Sequence, residues 1–227
     1  MATLSSANSA STTKASGRGR TPRLNASHTV EVALELLDDI GLDALTMRRV
    51  ADAIDAQASA LYRYFATKND LLTAMAERML AGCDEPTAAA DWTEQVAELA
   101  HRLRAALLRY RDGARVFAGT HPTGAHTLGF TDTLIGVLRS AGFPNADAAR
   151  AALTVVHYTL GHTLEEQAVN ADPADAVRLT EALASGRFEH LTAAESVLTD
   201  PDFTIHFEFG LQLLISALSG QRGRSLT

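Results

Sequence analysis

Basic and aromatic side chains with the chemistry to bind nucleic acid are concentrated in the first third of the chain. Arg48 stands near the start of one short helical pattern, Tyr62, Arg63 and Tyr64 end the next, and Lys68 follows closely. A guanidinium can donate two parallel hydrogen bonds to a guanine edge, while lysine, arginine and tyrosine commonly contact phosphates. The pattern is therefore typical of a DNA-binding surface. For Arg48 a phosphate clamp or a surface salt bridge is the alternative.

Residues suited to catalysis or metal binding do not form a comparable group. His121 and His126, and likewise His157 and His162, are five residues apart, a poor spacing for two ligands on one helix face. The sequence has no Gly-x-Ser-x-Gly, no phosphate-binding loop and no His-Glu-x-x-His motif. We therefore expect that the protein is not an enzyme and that it uses no cofactor and no metal.

Composition indicates a globular chain with a sizeable core. The 227 residues are 46% hydrophobic, which fits one large domain or two small ones. Cys83 is the single cysteine, which excludes an internal disulfide, and we interpret it as a structural thiol. No apolar run approaches the ~18 residues of a membrane helix, and the N-terminus lacks the apolar stretch of a secretory signal. We expect a cytoplasmic protein that does not contact membranes.

Charge divides the chain into two parts. The formal net charge is −7, which taken alone argues against a DNA-binding protein. Residues 1–70, however, carry eight positive and eight negative side chains, whereas residues 71–227 carry 12 and 19. Screening limits the reach of exposed charges to about 8–10 Å in physiological salt, so the acidic second part does not exclude DNA contact by the first. The asymmetry predicts two functional units.

The first 22 residues predict a disordered arm. They are rich in Ser, Thr, Ala and Gly and poor in bulky apolar side chains. The arm ends in an Arg-Gly-Arg segment that contains Arg18 and Arg20. Such a segment can lie in a narrow A·T-rich minor groove, or it can remain a solvated tail.

Helical periodicity follows the arm, and no segment alternates as a half-buried strand would, so we predict an all-α fold. Residues 23–70 contain four predicted helix starts: a helix capped by Ser27 and ended by Gly41, one capped by Thr46, one over residues 57–65, and one opened by a Thr67–Asp70 capping box. A short turn separates the second and third helices. They are a helix-turn-helix candidate in an N-terminal three-helix DNA-binding domain.

Residues 71–220 predict a larger helical domain for ligand binding and dimerisation, followed by a tail over residues 221–227. Long helices are predicted over residues 145–166 and 203–218, with a loop containing short helices over residues 170–200. The last helix is apolar on nearly all sides, so it is either buried within the monomer or part of a dimer interface. We expect these two long helices to form a homodimer interface.

Three motifs resemble the DNA-binding domain of the TetR family of bacterial regulators: Leu-Thr-Met-Arg-Arg-Val-Ala over 45–51, Leu-Tyr-Arg-Tyr-Phe over 61–65, and Lys-Asn-Asp-Leu-Leu over 68–72. Residues 110–116, 157–161 and 209–211 resemble the C-terminal domain of the tetracycline-repressor branch of that family. The resemblance covers roughly residues 24–220. It implies an all-α homodimer that binds a palindromic operator and leaves it when a small molecule occupies the C-terminal domain.

The resemblance implies that Arg48 reads a guanine and that Ala58, Ser59 and Ala60 form the base-reading front of the third helix. Leu61 and Phe65 are assigned to the core, and Tyr64 can belong partly to it. Together with the arginines of the arm, the candidate DNA contacts are Arg18, Arg20, Thr46, Met47, Arg48, Ala58, Ser59, Ala60, Tyr62, Arg63, Tyr64 and Lys68.

An effector site is also implied, with an altered lining. His157 and Glu165 match a histidine and a glutamate near the bound drug and magnesium of the branch, whereas Phe117 stands where a histidine ligates the metal. The candidate ligand contacts are Leu99, Leu103, Phe117, Thr120, His121, Phe130, Thr133, His157 and Glu165. This set predicts an apolar pocket for an aromatic or polycyclic ligand. The alternatives are an interior histidine at 157 and an exposed helix-end acid at 165.

The sequence as a whole predicts a ligand-responsive transcriptional repressor, with double-stranded operator DNA, a small-molecule effector and a second copy of the chain as its partners. The alternative is a ligand-independent DNA-binding regulator or an activator. A second domain of ~150 residues is larger than dimerisation alone requires, which favours the ligand-responsive protein.

Overall fold

A computed structural model describes residues 25–171 and 174–225 of the chain. Within these residues the secondary structure is helical and contains no strand, as predicted. The helices are α1 (Ala26–Ile40), α2 (Met47–Ala53), α3 (Ala58–Leu61), α4 (Lys68–Met79), α5 (Trp92–Leu108), α6 (Gly113–Ala118), α7 (Ala125–Ser140), α8 (Asn145–Ala171), α9 (Ala174–Ala184), α10 (Glu189–Ala193), α11 (Glu195–Leu198) and α12 (Phe203–Ser225). The predicted arm, with Arg18 and Arg20, lies outside the described residues.

Capping side chains set the starts of the N-terminal helices. Thr46 caps α2 by accepting a hydrogen bond from the backbone N–H of Arg49 at 3.3 Å. Thr67 and Asp70 form the predicted capping box at the start of α4. For α1 the prediction of Ser27 as the cap is wrong, because Asn25 accepts the hydrogen bond from the N–H of Ser27 at 3.0 Å.

The third helix is shorter than predicted. It spans Ala58–Leu61, and a turn rather than a continued helix leads from it to Phe65. Leu61 is fully buried and Phe65 nearly so, which confirms their assignment to the core. The turn between α2 and α3 is tight, with Asp55 at a positive φ of 51°. The helix-turn-helix is therefore compact and is held to α1 and α4 by apolar packing.

Both long helices of the second part extend beyond their predicted ends. Helix α8 continues to Ala171 instead of ending at residue 166, and α12 continues to Ser225 instead of ending at residue 218. Most of the segment 221–227, expected to be a tail, is therefore helical. The predictions ended these helices at about Glu166 and at Leu218, near the end of each apolar pattern, whereas an exposed turn can prolong a helix without core contacts.

One continuous hydrophobic core joins the two parts of the chain, with contributions from α1–α8 and α12. Helices α8 and α12 approach each other closely where the Tyr158 ring lies over Gly210. A Cβ atom at Gly210 would be 2.2 Å from the Tyr158 hydroxyl oxygen, so only glycine leaves room there. The hydroxyl donates a hydrogen bond to the carbonyl of Phe207 at 2.8 Å. None of the described helices is both long and apolar enough to span a bilayer.

Candidate DNA-reading surface, effector core and dimer face

The helix-turn-helix presents a surface of exposed polar and aromatic side chains. Arg48 and Arg63 are exposed and form no ion pair within the described residues, and Ser59 is exposed between them. The Tyr62 and Tyr64 side chains are each 51% exposed. The guanidinium groups of Arg48 and Arg63 can donate hydrogen bonds to base edges and phosphates without first breaking an ion pair within the described residues.

Other candidate DNA contacts are less accessible. Met47 is only 6% exposed and packs in the core, so its side chain supports the position of α2 instead of extending from the surface. Ala58 and Ala60 are half-buried, and their small side chains would let α3 approach a groove closely. The Lys68 ammonium donates a hydrogen bond to the carbonyl of Leu42 at 3.4 Å, so it also tethers α4 to the α1–α2 loop.

The candidate effector residues fall into a buried and an exposed group. Leu99 and Leu103 of α5, Phe117 of α6 and Phe130 of α7 are buried in the common core. Thr120 is also buried, and its hydroxyl lies 3.1 Å from the carbonyls of Val116 and Phe117. All five of these candidate side chains are buried, and we refer to them together as the effector core. Leu99, Leu103, Phe117 and Phe130 belong to the packed hydrophobic core, so a ligand would have to displace side chains to enter it.

His121, His157 and Glu165 are exposed and do not join this buried group. His157 and Glu165 lie two turns apart on α8, in an exposed stripe that also contains Leu153 and Gly161. Thr133 is half-buried, and its hydroxyl donates to the carbonyl of Asp84 at 3.2 Å. Because His157 is exposed, the alternative that it is an interior histidine does not hold within a single chain.

Helix α12 carries an exposed apolar stripe of its own. Ile205, Phe209 and Leu213, spaced four residues apart, are all more than half exposed, and Phe209 is 69% exposed. The opposite side of the same helix, with Phe207, Leu211 and Ile215, is buried in the core. Large apolar patches on an isolated chain mark interaction surfaces. We refer to the exposed stripes of α8 and α12 together as the dimer face.

A polar network connects α8 to the DNA-binding part through the turn between α5 and α6. The Gln167 side chain accepts from the N–H of Ala114 at 3.0 Å and donates to the carbonyl of Tyr110 at 2.9 Å. Asp112 sits in this turn with a positive φ of 60°, and its carboxylate accepts from the N–H of Leu42 at 2.9 Å. No short-range sequence pattern marks this network, because its partners are far apart in the chain.

Arg115 strengthens the same connection with charge. Its guanidinium pairs with Asp112 beside it and with Asp43 of the α1–α2 loop, each at 2.9 Å. The hydrogen bond from Arg115 lowers the pKa of the Asp43 carboxyl, and the pKa of the guanidinium is raised in return. The pair is exposed at Asp43, so its contribution is to orientation more than to stability.

A second charged group stabilises the contact of α5 with α8 and α12. Arg104 and Glu166 form a largely buried, bidentate ion pair with distances of 2.8–3.1 Å. The Arg104 guanidinium also lies 5.1 Å from the centre of the Phe207 ring. These contacts fix α8 in the bundle.

Helices α1–α3, which include the helix-turn-helix and which we call the reader, are joined to a larger helical domain. This combination defines a DNA-binding regulator with its own sensing domain. A family model described as "Bacterial regulatory proteins, tetR family" matches residues 30–75, and one described as "Tetracyclin repressor-like, C-terminal domain" matches residues 85–222. The chain belongs to the TetR family of bacterial transcriptional regulators, whose members are DNA-binding proteins and not enzymes.

Individual relatives match over most of their length. The tetracycline repressor protein class A from transposon 1721 of Escherichia coli is 36% identical over 203 residues, which are 88% of this chain and 93% of the relative. The crystal structure of a possible TetR family transcriptional regulator from Streptomyces coelicolor A3(2) is 57% identical with a TM-score of 0.82, covering 86% of this chain and 99% of that one. A TetR variant from Acinetobacter baumannii AYE, in complex with minocycline, is 35% identical with a TM-score of 0.70, covering 88% and 99%.

Proposed function

We propose that this protein is a transcriptional repressor that binds a palindromic operator as a homodimer and is released by a small aromatic or polycyclic effector. The observation that carries the proposal is that one chain combines an exposed Arg48, which forms no ion pair within the described residues, with an exposed apolar stripe on α12. Two readers related by a two-fold axis would meet successive major grooves about 34 Å apart. We expect the protein to act in the cytoplasm, where bacterial operator DNA is found.

The effector proposal is supported by the lining of the buried group. Leu99, Leu103, Phe117 and Phe130 offer apolar and aromatic contacts, and the neighbouring Thr120 hydroxyl offers one polar contact. Such a surface suits a flat ring system with few polar groups. Phe117 cannot ligate a metal, so we expect effector binding to be independent of Mg²⁺.

The reader is tested by replacing Arg48. Operator duplexes are selected from a random library with the wild-type protein, and affinity is then measured by fluorescence anisotropy. We expect Arg48→Ala to lose about 1–3 kcal/mol of binding free energy per half-site, because a bidentate contact to guanine is lost. Arg187→Ala removes the same charge from an exposed position between α9 and α10 and should leave the affinity unchanged.

The same complex tests release. Planar aromatic compounds are added to the labelled operator complex, in parallel with Mg²⁺ and with EDTA. Release in both conditions supports the proposal, and release only with Mg²⁺ contradicts the metal-free site. Equal operator selectivity of Arg48→Ala and wild type would show that this arginine does not read the sequence.

A further inference from the structure

We propose that Glu77 of α4 is a positioning residue that couples the effector core to the DNA reader by capping α7 from outside that helix. The inference rests on the proposed function, because it concerns how occupancy of the second domain reaches the DNA-binding part. It assigns the coupling to one carboxylate and to the three backbone groups that this carboxylate holds.

Helix α7 has no capping side chain of its own. Its N-cap is Gly124, which has none to offer. The first N–H groups of a helix lack partners within the helix and must be satisfied elsewhere. The Glu77 carboxylate accepts from the N–H of Gly124 at 3.0 Å and from that of His126 at 3.1 Å, with the N–H of Thr127 at 3.5 Å. A negative charge is also favourable at this end of a helix dipole.

Two glycines leave room for the Glu77 and Asp84 carboxylates in the positions that they occupy against α7. A Cβ atom at Gly124 would lie 2.3 Å from a carboxylate oxygen of Glu77. One turn further along α7, a Cβ atom at Gly129 would lie 2.7 Å from a carboxylate oxygen of Asp84, which follows α4. The Thr133 hydroxyl donates to the backbone carbonyl of the same Asp84. Helix α7 is therefore fitted to the α4 segment along its first three turns.

Helix α4 is bonded at the same time to the reader. Arg78, next to Glu77, forms an ion pair with Glu31 of α1. At the start of α4, Lys68 reaches the carbonyl of Leu42 in the α1–α2 loop. One rigid helix thus contacts the reader with two side chains and the start of α7 with a third.

The segment that Glu77 holds belongs to the effector core. Residues 119–124 connect α6 to α7 and contain the buried Thr120, and α7 contributes the buried Phe130. A ligand that enters the effector core and displaces the start of α7 must either move Glu77 with it or break the hydrogen bonds of that carboxylate. In the first case α4 moves, and with it the reader. Coupling between two sites needs such a shared element that both sites can bias.

DNA binding itself tests this coupling, because coupling between sites is reciprocal. Hydrogen exchange is followed by mass spectrometry with and without the selected operator duplex. In the wild type we expect operator binding to slow exchange in the peptide covering residues 124–128 by about threefold or more. In Glu77→Ala, this DNA-induced slowing should disappear, although the duplex still binds.

Glu98→Ala is the matched control, since Glu98 pairs with Arg102 of the same helix, α5. It should retain the wild-type response. Glu77→Gln keeps the side-chain size and guards against a folding defect, and it too should weaken the response, because its amide nitrogen cannot accept the hydrogen bonds that one carboxylate oxygen accepts and the negative charge is lost. Two results would overturn the inference. One is that operator binding does not slow hydrogen exchange at residues 124–128 of the wild type, and the other is that both Glu77 variants keep this slowing. Failure of the wild type to bind any selected duplex contradicts the proposed function instead.

Discussion

His162 lies in the helix bundle at a position where its protonation should affect the stability of the fold. Its ring lies 5.3 Å from that of Phe207 and 5.8 Å from that of Phe203, and its Nδ1 atom is buried without a hydrogen-bond partner in the described part of the chain. Burial lowers the pKa of this imidazole below the ordinary 6.5, and the charge of Arg104 lowers it further. Glu166 opposes that shift, and His206 of α12 adds to it.

The sign of the pH effect follows from that lowered pKa. Below about pH 6.5 the unfolded chain takes up a proton at this histidine more readily than the folded chain does, so stability falls as the pH is lowered through that range. We expect His162→Phe, which suits the aromatic surroundings, to flatten the dependence of unfolding free energy on pH between about 6.5 and 5.5. Urea titrations at several pH values measure the unfolding free energy of both proteins.

His28→Phe supplies the comparison, because His28 is exposed on α1 and should leave the pH dependence as in the wild type. An identical slope for wild type and His162→Phe would show that the burial of His162 does not affect stability in this range.

At the same scale, sequence patterns predicted local partners and missed distant ones. Thr46 and the Thr67–Asp70 box act within three residues, so their roles are visible in the sequence. Glu77 acts on a helix start 47 residues later, and no short-range pattern marks it. The exposed side of α8 was equally hidden, because apolar residues occur on several sides of that helix and periodicity cannot decide which side meets the core.

Two glycines in the helices, Gly113 and Gly136, differ in the space available for a larger side chain. A Cβ atom at Gly113, the first residue of α6, would lie 2.2 Å from the backbone carbonyl oxygen of Leu107. A backbone atom cannot swing away as a side chain can, so any larger residue must displace the α5–α6 turn. Gly136, within α7, is exposed and has no atom within 4 Å of a built Cβ.

The two glycines should therefore respond oppositely to alanine. We expect Gly113→Ala to lower the free energy of unfolding by about 1–3 kcal/mol through overpacking. Gly136→Ala should raise it by about 0.5–1 kcal/mol, because alanine loses less backbone entropy in a helix. Urea denaturation at one fixed protein concentration compares them. Equal effects of the two changes would contradict the close contact at Gly113.

The helical architecture and most helix starts were predictable from periodicity and capping residues. The ends of α8 and α12 were not, because nothing in an exposed polar turn distinguishes the last turn of a helix from a loop. The short α3 differs for another reason: the segment after Leu61 turns so that Phe65 reaches the core, which is a tertiary requirement.

At the scale of the whole molecule, the dimer face should govern both assembly and DNA affinity. We expect the double change Phe209→Asp with Leu213→Asp to give a folded monomer, because burying two carboxylates between copies carries a desolvation cost while a free chain keeps them in water. Sedimentation measures the mass, and circular dichroism the helix content. Operator affinity should fall by about 100-fold or more, since the two readers are no longer linked.

Leu128→Asp is the control for this surface, because Leu128 is similarly exposed but belongs to α7 and not to the stripes that define the dimer face. It should stay dimeric. A double variant that remains a dimer at micromolar concentration would place the interface elsewhere on the chain.

The dimer face has a genetic consequence. In the proposed homodimer, a chain with an intact face and an inactive reader, such as Arg48→Ala, would still pair with wild-type chains and leave the mixed dimer with one working reader. When both chains are made in equal amounts and pair at random, only about a quarter of the dimers keep two working readers. A cell with both alleles should therefore express the regulated genes as if most of its regulator were missing, so the defect is dominant. Removing the dimer face from the same defective chain should make the defect recessive.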